Sequence, residues 1–503
     1  MSTLFVNDAV LPFAAVLERS AALAERLARQ GLRPGERLVA ALENSAGHLE
    51  LIGAALRLGL QLVAVAPTAS APSFAGVLQS AAPRAVAVDA ANERLAGVLR
   101  SWAQACTGLD DGIILGHVRA TGDESAPARP DSLSSNWQDW LAHVPPAVFY
   151  TSGSTSTAKG VPLLWPRILH KGRSVLGFYG AGPGERVMPI LPLSHVYGLY
   201  CLIGAADLGA DCIVYRESSP PATLAAGLAR HEASIAVCPP LLGAFLFGRR
   251  GCDAAVRDRL RVLTMGGAAT SAEQARRIMA NLPRTRVFLS YGLAETYSTV
   301  CCNEASLPGA DLASVGPFRF DAFGEVRDPA SGLKVPAGEV GELCIGGGVL
   351  SGYVGMPGEG FTADGLFRTG DLVRMSAEGA VTITGRLKEM INAGGLSIFP
   401  AEIEDALKQH PAVADCGVFG ERAGELEVAC AAVVLRQPDT SAEPARIVDS
   451  LLEHCRKQLA VKMLPRRILI VPKIPRGGLG KIARAELRAL CERLAGGGQA
   501  LSS

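Results

Sequence analysis

The sequence predicts an α/β protein with a large N-terminal domain and a smaller C-terminal domain. Strand and helix patterns alternate in two successive series along residues 1–300, which is typical of parallel sheets covered on both faces. Short strands with glycine turns follow at 310–385, and a self-contained α+β stretch begins after residue 386. We therefore expect two doubly wound sheets and a small β-barrel in the large domain, and a smaller α+β C-terminal domain.

The first hundred residues alternate between apolar segments with helical spacing and short apolar runs. Glycines that end two of these helices are typical C-cap signals. The expected elements are helices at 13–30, 48–58 and 77–82 and strands at 37–42, 62–66 and 85–88. Residues 117–136, rich in Ser, Pro, Gly and Asp, predict a mobile connection to the next series.

The second series predicts the other sheet, and the segment after it predicts the small barrel. The candidate strands are 147–150, 186–190, 212–215, 235–238 and 287–290 in the sheet, and 341–346 and 380–385 in the barrel. The C-terminal stretch contains candidate helices at 401–409 and 444–459 and strands near 412–419 and 428–435. This pattern places a large domain at residues 1–386 and a smaller C-terminal domain at 387–503.

Composition narrows the class of function. The 503 residues include 49 Lys and Arg against 48 Asp and Glu, so no basic field draws the chain to nucleic acid. No apolar run reaches the ~18 residues of a membrane span, and the N-terminus lacks the basic region of a signal peptide. The 12 cysteines form no CxxC pair and fit buried reduced thiols. We expect a soluble cytoplasmic protein, a monomer or homodimer, that acts on small molecules.

Residues 150–160, Y-T-S-G-S-T-S-T-A-K-G, carry the strongest local signal for chemistry. Small residues let backbone N–H groups point at an anion, hydroxyls add donors, and a lysine neutralises phosphate charge. The segment is not a Walker A loop, because Lys159 is followed by Gly160 and not by Ser or Thr. The alternative is a flexible Ser/Thr linker. The candidate phosphate-binding residues are Thr151, Ser152, Gly153, Ser154, Thr155 and Lys159.

This loop resembles the phosphate loop of the adenylate-forming superfamily, which includes acyl- and aryl-CoA synthetases, peptide-synthetase adenylation domains and luciferases. The family pattern is T-S-G-[ST]-[ST]-G-x-P-K-G. The sequence departs from it at Ser156, in place of glycine, and at Ala158, in place of proline. Ser156 puts a side chain where the turn is tight.

Residues 291–296, Y-G-L-A-E-T, resemble the family segment Y-G-x-[TA]-E-[ST]. The resemblance implies that Tyr291 packs at adenine beside Gly292, that Glu295 holds Mg²⁺ and that Thr296 reaches the α-phosphate. A carboxylate beside a triphosphate is reasonable mainly if a cation bridges the two. Without the resemblance, Glu295 would be an ordinary solvated loop residue.

Two further segments resemble the family's ribose and hinge motifs. Residues 367–371, F-R-T-G-D, match [YWF]-x-T-G-D, in which Asp371 would bind both ribose hydroxyls. Residues 385–389, G-R-L-K-E, match G-R-x-K-[DE]. There Arg386 also reaches the ribose, and the hinge residues are Lys388 and Glu389.

The C-terminal segment 475–484, P-R-G-G-L-G-K-I-A-R, is close to the family pattern P-[RK]-[TN]-x-x-G-K-[IV]-x-R, with Lys481 at the catalytic lysine. A compact ammonium on a long stem suits a site where a carboxylate must attack the α-phosphorus of ATP. In the family the small domain then rotates and brings a glycine loop to the acceptor tunnel. Here that loop would contain Gly394 and Gly395.

Residues 191–198 resemble the L-P-x-x-H-x-[YF]-G segment of acyl- and aryl-CoA ligases, in which the histidine gates the carboxylate end of the acid. A structural histidine at a helix start is the alternative. No acidic residue occurs between Glu185 and Asp207, which disfavours an α-amino acid. The catalytic candidates are Lys481, Glu295, Thr296 and His195, and the acid-binding candidates are His195, Val196, Tyr197, Cys238, Gly266, Gly267, Ala268 and Tyr291.

The resemblance implies an ATP- and Mg²⁺-dependent ligase that makes an acyl-adenylate from a fatty or aromatic acid and releases pyrophosphate. The acyl group then passes to the thiol of coenzyme A. An acyl-AMP ligase that loads the phosphopantetheine arm of an acyl carrier protein is the alternative. Two further alternatives are a luciferase-like oxidative enzyme and a non-catalytic nucleotide-binding relative.

Overall fold

The computed structural model describes residues 2–103, 105–108, 113–117, 137–150, 159–248, 253–393, 397–423, 426–436, 444–476 and 481–496. Its contacts divide the chain into two compact units. The large unit comprises Met1–Phe323 and Gly346–Phe361, and the small unit comprises Gly324–Ile345 and Thr362–Ser503. The predicted boundary at residue 386 stays a prediction.

The strands follow the chain in this order: β1 (Thr3–Val6), β2 (Ala9–Pro12), β3 (Arg37–Ala41), β4 (Gln61–Ala64), β5 (Ala85–Asp89), β6 (Ala105–Gly108), β7 (Ile113–His117), β8 (Ala147–Tyr150), β9 (Gly160–Leu163), β10 (Arg186–Pro189), β11 (Asp211–Val214), β12 (Ile235–Cys238), β13 (Val262–Met265), β14 (Arg286–Leu293), β15 (Ser298–Glu304), β16 (Ala322–Arg327), β17 (Val340–Gly347), β18 (Gly352–Tyr353), β19 (Met356–Pro357), β20 (Phe367–Met375), β21 (Val381–Arg386), β22 (Ile391–Asn392), β23 (Ser397–Ile398), β24 (Val413–Ala423), β25 (Leu426–Leu435) and β26 (Arg467–Ile470).

The α-helices are α1 (Phe13–Arg29), α2 (Ala46–Leu58), α3 (Ala71–Ala81), α4 (Glu93–Trp102), α5 (Trp137–Trp140), α6 (Trp165–Phe178), α7 (Val196–Leu208), α8 (Pro221–Arg230), α9 (Pro240–Phe247), α10 (Ala254–Arg259), α11 (Ala272–Asn281), α12 (Pro400–Lys408), α13 (Pro444–Gln458) and α14 (Arg484–Gly496). Within the described residues, no helix is both long and apolar enough to cross a bilayer.

A seven-stranded sheet forms the first half of the large unit, in the order β6-β7-β5-β3-β4-β8-β9. Strands β5, β3, β4 and β8 are parallel, and β9 pairs antiparallel with β8. The central strands are almost wholly apolar and buried, because helices cover both faces of a parallel sheet. The first predicted sheet is confirmed.

An eight-stranded sheet forms the second half, in the order β15-β14-β13-β12-β10-β11-β1-β2. Its strands β1 and β10 to β14 are parallel to their neighbours in that group, and β15 returns antiparallel to β14. The β14–β15 hairpin brings residues 291–296 to the end of the sheet. This confirms the second predicted sheet and gives the motif a fixed place on it.

The small unit contains a four-stranded sheet and a three-stranded sheet, and β22 pairs with β23 in a short ladder beside them in sequence. The order β16-β17-β20-β21 gives a four-stranded sheet where the small barrel was predicted, and the observed pairings of β17, β20 and β21 are antiparallel. Strands β24, β25 and β26 form a three-stranded sheet with α12, α13 and α14 nearby in sequence. Its core is built from apolar residues of these strands and helices. The predicted α+β character of the C-terminal stretch is confirmed.

Candidate functional site

Several predicted residues lie outside the described part of the chain. They are Thr151, Ser152, Gly153, Ser154 and Thr155 of the phosphate loop, its departures Ser156 and Ala158, and the thiol-tunnel residues Gly394 and Gly395. The predicted connection at 117–136 is also outside, apart from His117 at the end of β7. These assignments remain predictions.

Lys159 stands at the base of the hairpin formed by β8 and β9, where Tyr150 pairs with Gly160. Its Nζ lies 2.7 Å from Oε1 of Glu359 and 4.8 Å from the centre of the Tyr353 ring. Both partners belong to the large unit. The predicted phosphate-binding cation is therefore held between a carboxylate and an aromatic face.

Tyr353 connects Lys159 to the predicted magnesium ligand. Its hydroxyl donates to Oε1 of Glu295 at 2.9 Å. Burial raises the pKa of the Tyr353 hydroxyl, and the nearby Glu295 carboxylate raises it further, so the hydroxyl keeps its proton and remains a donor. The backbone adds two ties, from Leu350 N to Glu295 O at 2.8 Å and from Val354 N to Gly160 O at 2.9 Å. Residues 350–354 thus hold the two predicted nucleotide motifs together.

The turn that carries Glu295 has a tightly specified backbone. A Cβ on Gly292 would lie 1.9 Å from the carbonyl oxygen of Ser298, so only glycine fits there. Thr296 is fully buried, and its hydroxyl accepts from Leu293 N at 3.1 Å and donates toward Ser298 O at 2.8 Å. Thr296 therefore shapes the turn through its hydroxyl, and its assignment to the α-phosphate stays a prediction.

Three acid-binding candidates meet at the end of β13. The Tyr197 hydroxyl and Ser290 Oγ are 3.2 Å apart, and Ser290 donates to the carbonyl of Met265 at 3.1 Å. A Cβ on Gly266 would lie 2.4 Å from Ser290 Oγ, so this position has room only for glycine. Because Ser290 precedes Tyr291, the structure brings Tyr197, Gly266 and the start of the adenine motif to one place.

The remaining acid-binding candidates differ in exposure. His195 is the partly buried residue that precedes helix α7, and Val196 behind it is buried. Gly267 and Ala268 follow β13 and are partly buried. Cys238 is fully buried within the hydrophobic core of the large unit, and burial raises the pKa of its thiol to about 12. Cys238 therefore packs as an apolar side chain, which fits a wall residue and not a reactive thiol.

The small unit brings the two ribose candidates together. Asp371 on β20 and Arg386 on β21 are paired residues of the antiparallel ladder, and Arg386 Nε lies 2.7 Å from Asp371 Oδ1. Asp371 is buried, and its backbone N–H donates to Thr369 Oγ1 at 3.0 Å. Thr369 in turn donates to Leu343 O at 2.8 Å, so the T-G-D turn is anchored to the neighbouring strand.

The hinge candidates Lys388 and Glu389 lie in a short helical turn directly after β21. Arg484, the first residue of α14, connects this turn to the body of the small unit. Its guanidinium lies 2.8 Å from Glu389 Oε2 and 2.5 Å from Oε1 of the buried Glu404. Lys481 is exposed three residues before Arg484. One arginine therefore ties the predicted hinge to the segment that carries the predicted catalytic lysine.

Two residues at the site were not predicted, Tyr353 and Glu359. Both lie in a glycine-rich stretch whose two-residue strands, β18 and β19, give no periodic signal. Tyr353 meets Glu295 across 58 positions of sequence, so only the folded chain shows the contact. The one available signal was an isolated aromatic residue among glycines.

A separate pocket of about 430 Å³ opens beside α6 in the large unit. None of its lining residues is a predicted site residue, and Tyr297 in the lining follows Thr296 in the sequence. The lining residues are Arg167, His170, Lys171, Tyr297, Phe320, Asp321, Gly347 and Gly348.

Two protein-family models match the chain. Residues 3–354 match the model of AMP-binding enzymes, and residues 402–481 match the model of the AMP-binding enzyme C-terminal domain. The segments that carry Lys159, Glu295 and Lys481 all lie inside these matches.

Known relatives cover most of the chain. The sulfoacetate–CoA ligase of Cupriavidus necator is 31% identical over 377 residues, which cover 73% of this chain and 70% of that protein. Pyochelin synthase PchD of Pseudomonas aeruginosa is 28% identical over 502 residues, or 97% and 89% of the two chains. The feruloyl-CoA synthase of an Amycolatopsis species is 28% identical over 489 residues, which cover 95% of this chain and 93% of that protein.

A solved structure gives the same fold over the whole length. ATP-bound MatB from Rhodopseudomonas palustris superposes with a TM-score of 0.82 at 24% identity, covering 98% of this chain and 96% of that one. This confirms the predicted α/β architecture with a large N-terminal and a smaller C-terminal domain. With the family matches, it follows that the chain belongs to the AMP-binding enzymes, the adenylate-forming superfamily of acid–thiol ligases.

Proposed function

We propose that this enzyme activates a fatty or aromatic carboxylic acid with ATP and passes the acyl group to the thiol of coenzyme A. The observation that carries the proposal is the contact chain Lys159–Tyr353–Glu295 in the large unit. It joins a cation and a carboxylate that the sequence assigns to the same triphosphate.

The proposed reaction has two steps. In the first, a carboxylate oxygen of the acid bonds to the α-phosphorus of ATP, and the bond from that phosphorus to pyrophosphate breaks. In the second, a thiolate sulfur bonds to the acyl carbon, and AMP leaves with the electrons of the carbon–oxygen bond. Both steps bring anions together, so positioned cations and N–H dipoles have to stabilise the developing charge.

Lys159 supplies one of these cations. Its ammonium is paired with Glu359, and both side chains of that pair are at least a third exposed. Exposed pairs contribute only about 0.2–1 kcal/mol, so the multiple charges of a triphosphate easily displace Glu359. Lys159 then neutralises phosphate charge, and its ammonium starts from a position over the Tyr353 ring.

Glu295 fits the role of magnesium ligand. Mg²⁺ in nucleotide sites is bound by one or two carboxylates, water and substrate phosphates, and the single Glu295 carboxylate, oriented by Tyr353, suits that set. When bound, the ion screens the phosphates and assists departure of pyrophosphate. The chain's own part is to keep Glu295 fixed, through the Tyr353 hydroxyl and the backbone bond from Leu350.

In the small unit, we assign Asp371 and Arg386 to the ribose and Lys481 to the reacting groups. The Asp371 carboxylate is oriented by Arg386, and a carboxylate is a suitable acceptor for the vicinal hydroxyls of a ribose. Lys481 is exposed, as a cation that has to reach a substrate must be. Removal of such a group from the transition state lowers the rate by about 10²–10³-fold.

The acid is expected to lack a charged α-substituent. The segment from His195 to Tyr197 and the end of β13 contain no carboxylate to pair with an α-ammonium group. The hydroxyl groups of Tyr197 and Ser290 are hydrogen-bonded to each other. Cys238 and Val196 are apolar and buried. The relatives that act on feruloyl and sulfoacetyl groups show that the scaffold accepts different acids, so the acid itself has to be found by experiment.

A carrier-protein acceptor is the second candidate, and the similarity to PchD over 97% of the chain favours it. The phosphopantetheine arm ends in the same thiol as coenzyme A. The test is a pair of parallel reactions, each with purified enzyme, ATP and an accepted acid. One reaction contains coenzyme A, and the other contains a holo carrier protein. Thioester on coenzyme A supports the proposal, and thioester on the carrier alone overturns it in favour of the second candidate.

The substrate and the activity can be found in one assay. Acid-dependent exchange of labelled pyrophosphate into ATP, run over a panel of aromatic, medium-chain and short acids, reports the first step alone. We expect exchange with at least one fatty or aromatic acid and none with α-amino acids. Exchange confined to α-amino acids, or absent from the whole panel, would contradict the proposed function.

We place this activity in the cytoplasm, where ATP and coenzyme A are supplied, in a monomer or homodimer. The described cysteines support a reducing compartment: all are free thiols, and all except Cys106 are buried. Sedimentation of the purified enzyme would decide its oligomeric state.

A further inference from the structure

Asn44 lies between the two large sheets and is only 1% exposed. It follows β3 of the seven-stranded sheet, and its side chain reaches backbone groups of the eight-stranded sheet. Its Nδ2 donates to Leu191 O at 2.9 Å and to Tyr215 O at 3.0 Å, and its Oδ1 accepts from Leu193 N at 2.8 Å. Both amide hydrogens and the amide oxygen are therefore used, across 147 to 171 positions of sequence.

The segment that Asn44 holds leads directly into the acid-binding candidates. Leu191 and Leu193 flank Pro192, and His195 and Tyr197 follow within four residues. The turn is closed by a hydrogen bond from His195 N to Pro192 O at 3.1 Å. A displacement of the 191–193 backbone would therefore be passed on to the start of α7.

The position of Asn44 is itself fixed by its neighbours. The backbone N–H of Glu43 donates to Asp89 Oδ2 at 2.8 Å, at the end of β5. Ser45 caps helix α2 by accepting from His48 N at 3.1 Å. Asn44 is thus anchored on both sides within one sheet while its side chain clamps a loop of the other.

We propose that Asn44 is a positioning residue for the acid-binding segment, and this inference rests on the proposed function. By fixing the 191–193 backbone, it sets where His195 and Tyr197 stand relative to Ser290 and the adenine motif. The triphosphate residues Lys159, Tyr353 and Glu295 are not among its contacts. Loss of Asn44 should consequently impair use of the acid more than use of ATP.

Asn44→Asp and Asn44→Ser test this role. Aspartate keeps the shape but cannot donate to the two carbonyls, and serine removes most of the amide at a smaller electrostatic cost. Pyrophosphate exchange with an accepted acid gives the KM of the acid and the KM of ATP separately. We expect the KM of the acid to rise about tenfold, as small misplacements of positioning groups do, with the KM of ATP within twofold of wild type.

The matched control is Asn92→Asp in the same unit. The Asn92 amide also forms hydrogen bonds through both its nitrogen and its oxygen. Its Nδ2 donates to Pro67 O at 2.9 Å, and its Oδ1 accepts from Leu95 N at 3.3 Å. These partners are far along the chain from the acid-binding segment. Asn92→Asp should lower the melting temperature without changing either KM.

The outcomes are distinguishable. Variants of Asn44 that lose thermal stability but keep both KM values, or that raise both equally, would show a purely structural role and overturn the inference. If only Asn44→Ser folds, the comparison between its KM for the acid and its KM for ATP tests the inference. If neither variant folds while Asn92→Asp does, Asn44 is a folding determinant and the inference is likewise overturned. Absence of any exchange in the wild type would instead be a failure of the proposed function.

Discussion

At the scale of single residues, the best-defined interaction of the candidate site is the one Tyr353 makes. Its hydroxyl orients Glu295, and its ring lies under the ammonium of Lys159. Hydrogen bonds to charged groups contribute about 1.5–3 kcal/mol, and a cation over an aromatic face about 0.5–1 kcal/mol at an exposed site. One side chain therefore prepares a carboxylate and a cation for the same ligand.

We predict that Tyr353→Phe raises the KM of MgATP about tenfold in pyrophosphate exchange, because Glu295 loses its donor while the ring under Lys159 stays. The KM of the acid should change little. The requirement for magnesium should shift to higher concentration in parallel.

The control for this change is Tyr215→Phe, which removes another tyrosine–carboxylate hydrogen bond, to Asp8, away from the site. If both variants change the KM of MgATP equally, or neither does, Tyr353 has no particular role at Glu295.

The residues predicted from motifs are those that chemistry restricts to one type. Lys159, Glu295, Asp371 and Arg386 could be named from the sequence, and the structure pairs Asp371 with Arg386 and connects Lys159 to Glu295. Side chains that act by orienting others, such as Tyr353, carry no local pattern. Thr296 has a structural role that its motif position does not reveal, because its hydroxyl bonds to backbone groups of the turn.

At the scale of elements, helix α2 contains a buried histidine next to the Asn44 anchor. His48 is 2% exposed, and burial lowers its pKa from 6.5 to about 4. A hydrogen bond with Glu43 O raises the pKa, but its effect is smaller than that of burial. Between these two values the unfolded chain binds a proton at His48 that the folded chain does not. The free energy of unfolding therefore falls as the pH is lowered through that window.

We predict that His48→Gln flattens this part of the acid profile. At pH 5, His48 lowers the free energy of unfolding of the wild type by about 2 kcal/mol relative to pH 7. This figure follows from about 1.4 kcal/mol per unit of pKa shift. The drop in melting temperature from pH 7 to pH 5 should be smaller in the variant than in the wild type. His143→Gln, at an exposed histidine, should show the wild-type drop. Equal drops in all three proteins would contradict burial as the cause.

The elements predicted best are the central parallel strands, because burial on both faces leaves a continuous apolar run in the sequence. Helix ends were predicted less well. Helix α3 was expected at 77–82 and spans Ala71–Ala81, since Ser70 accepts from Ser73 N and a proline lies in the first turn. Helix α4 at Glu93–Trp102 is not among the predicted elements, although the Asn92 side chain caps it by accepting from Leu95 N.

At the scale of the whole molecule, the order of the strands could not be predicted. In the four-stranded sheet, β17 pairs with β20, which pairs with β21, across the inserted residues 346–361 of the large unit. Such pairings depend on contacts between distant segments, and local patterns do not specify them. The sequence did predict two domains, and the structure shows two compact units with their own cores.

The central claim is that this chain forms an acyl-adenylate with Lys481 at the substrate carboxylate and the α-phosphate. Acid-dependent ATP–pyrophosphate exchange in Lys481→Ala tests this claim most directly. The account predicts that exchange falls about 10²–10³-fold. Lys462→Ala, at another exposed lysine of the small unit, should keep wild-type exchange. Thioester formation from supplied acyl-adenylate and coenzyme A should remain within a few-fold of wild type. Undiminished exchange in Lys481→Ala would contradict the account.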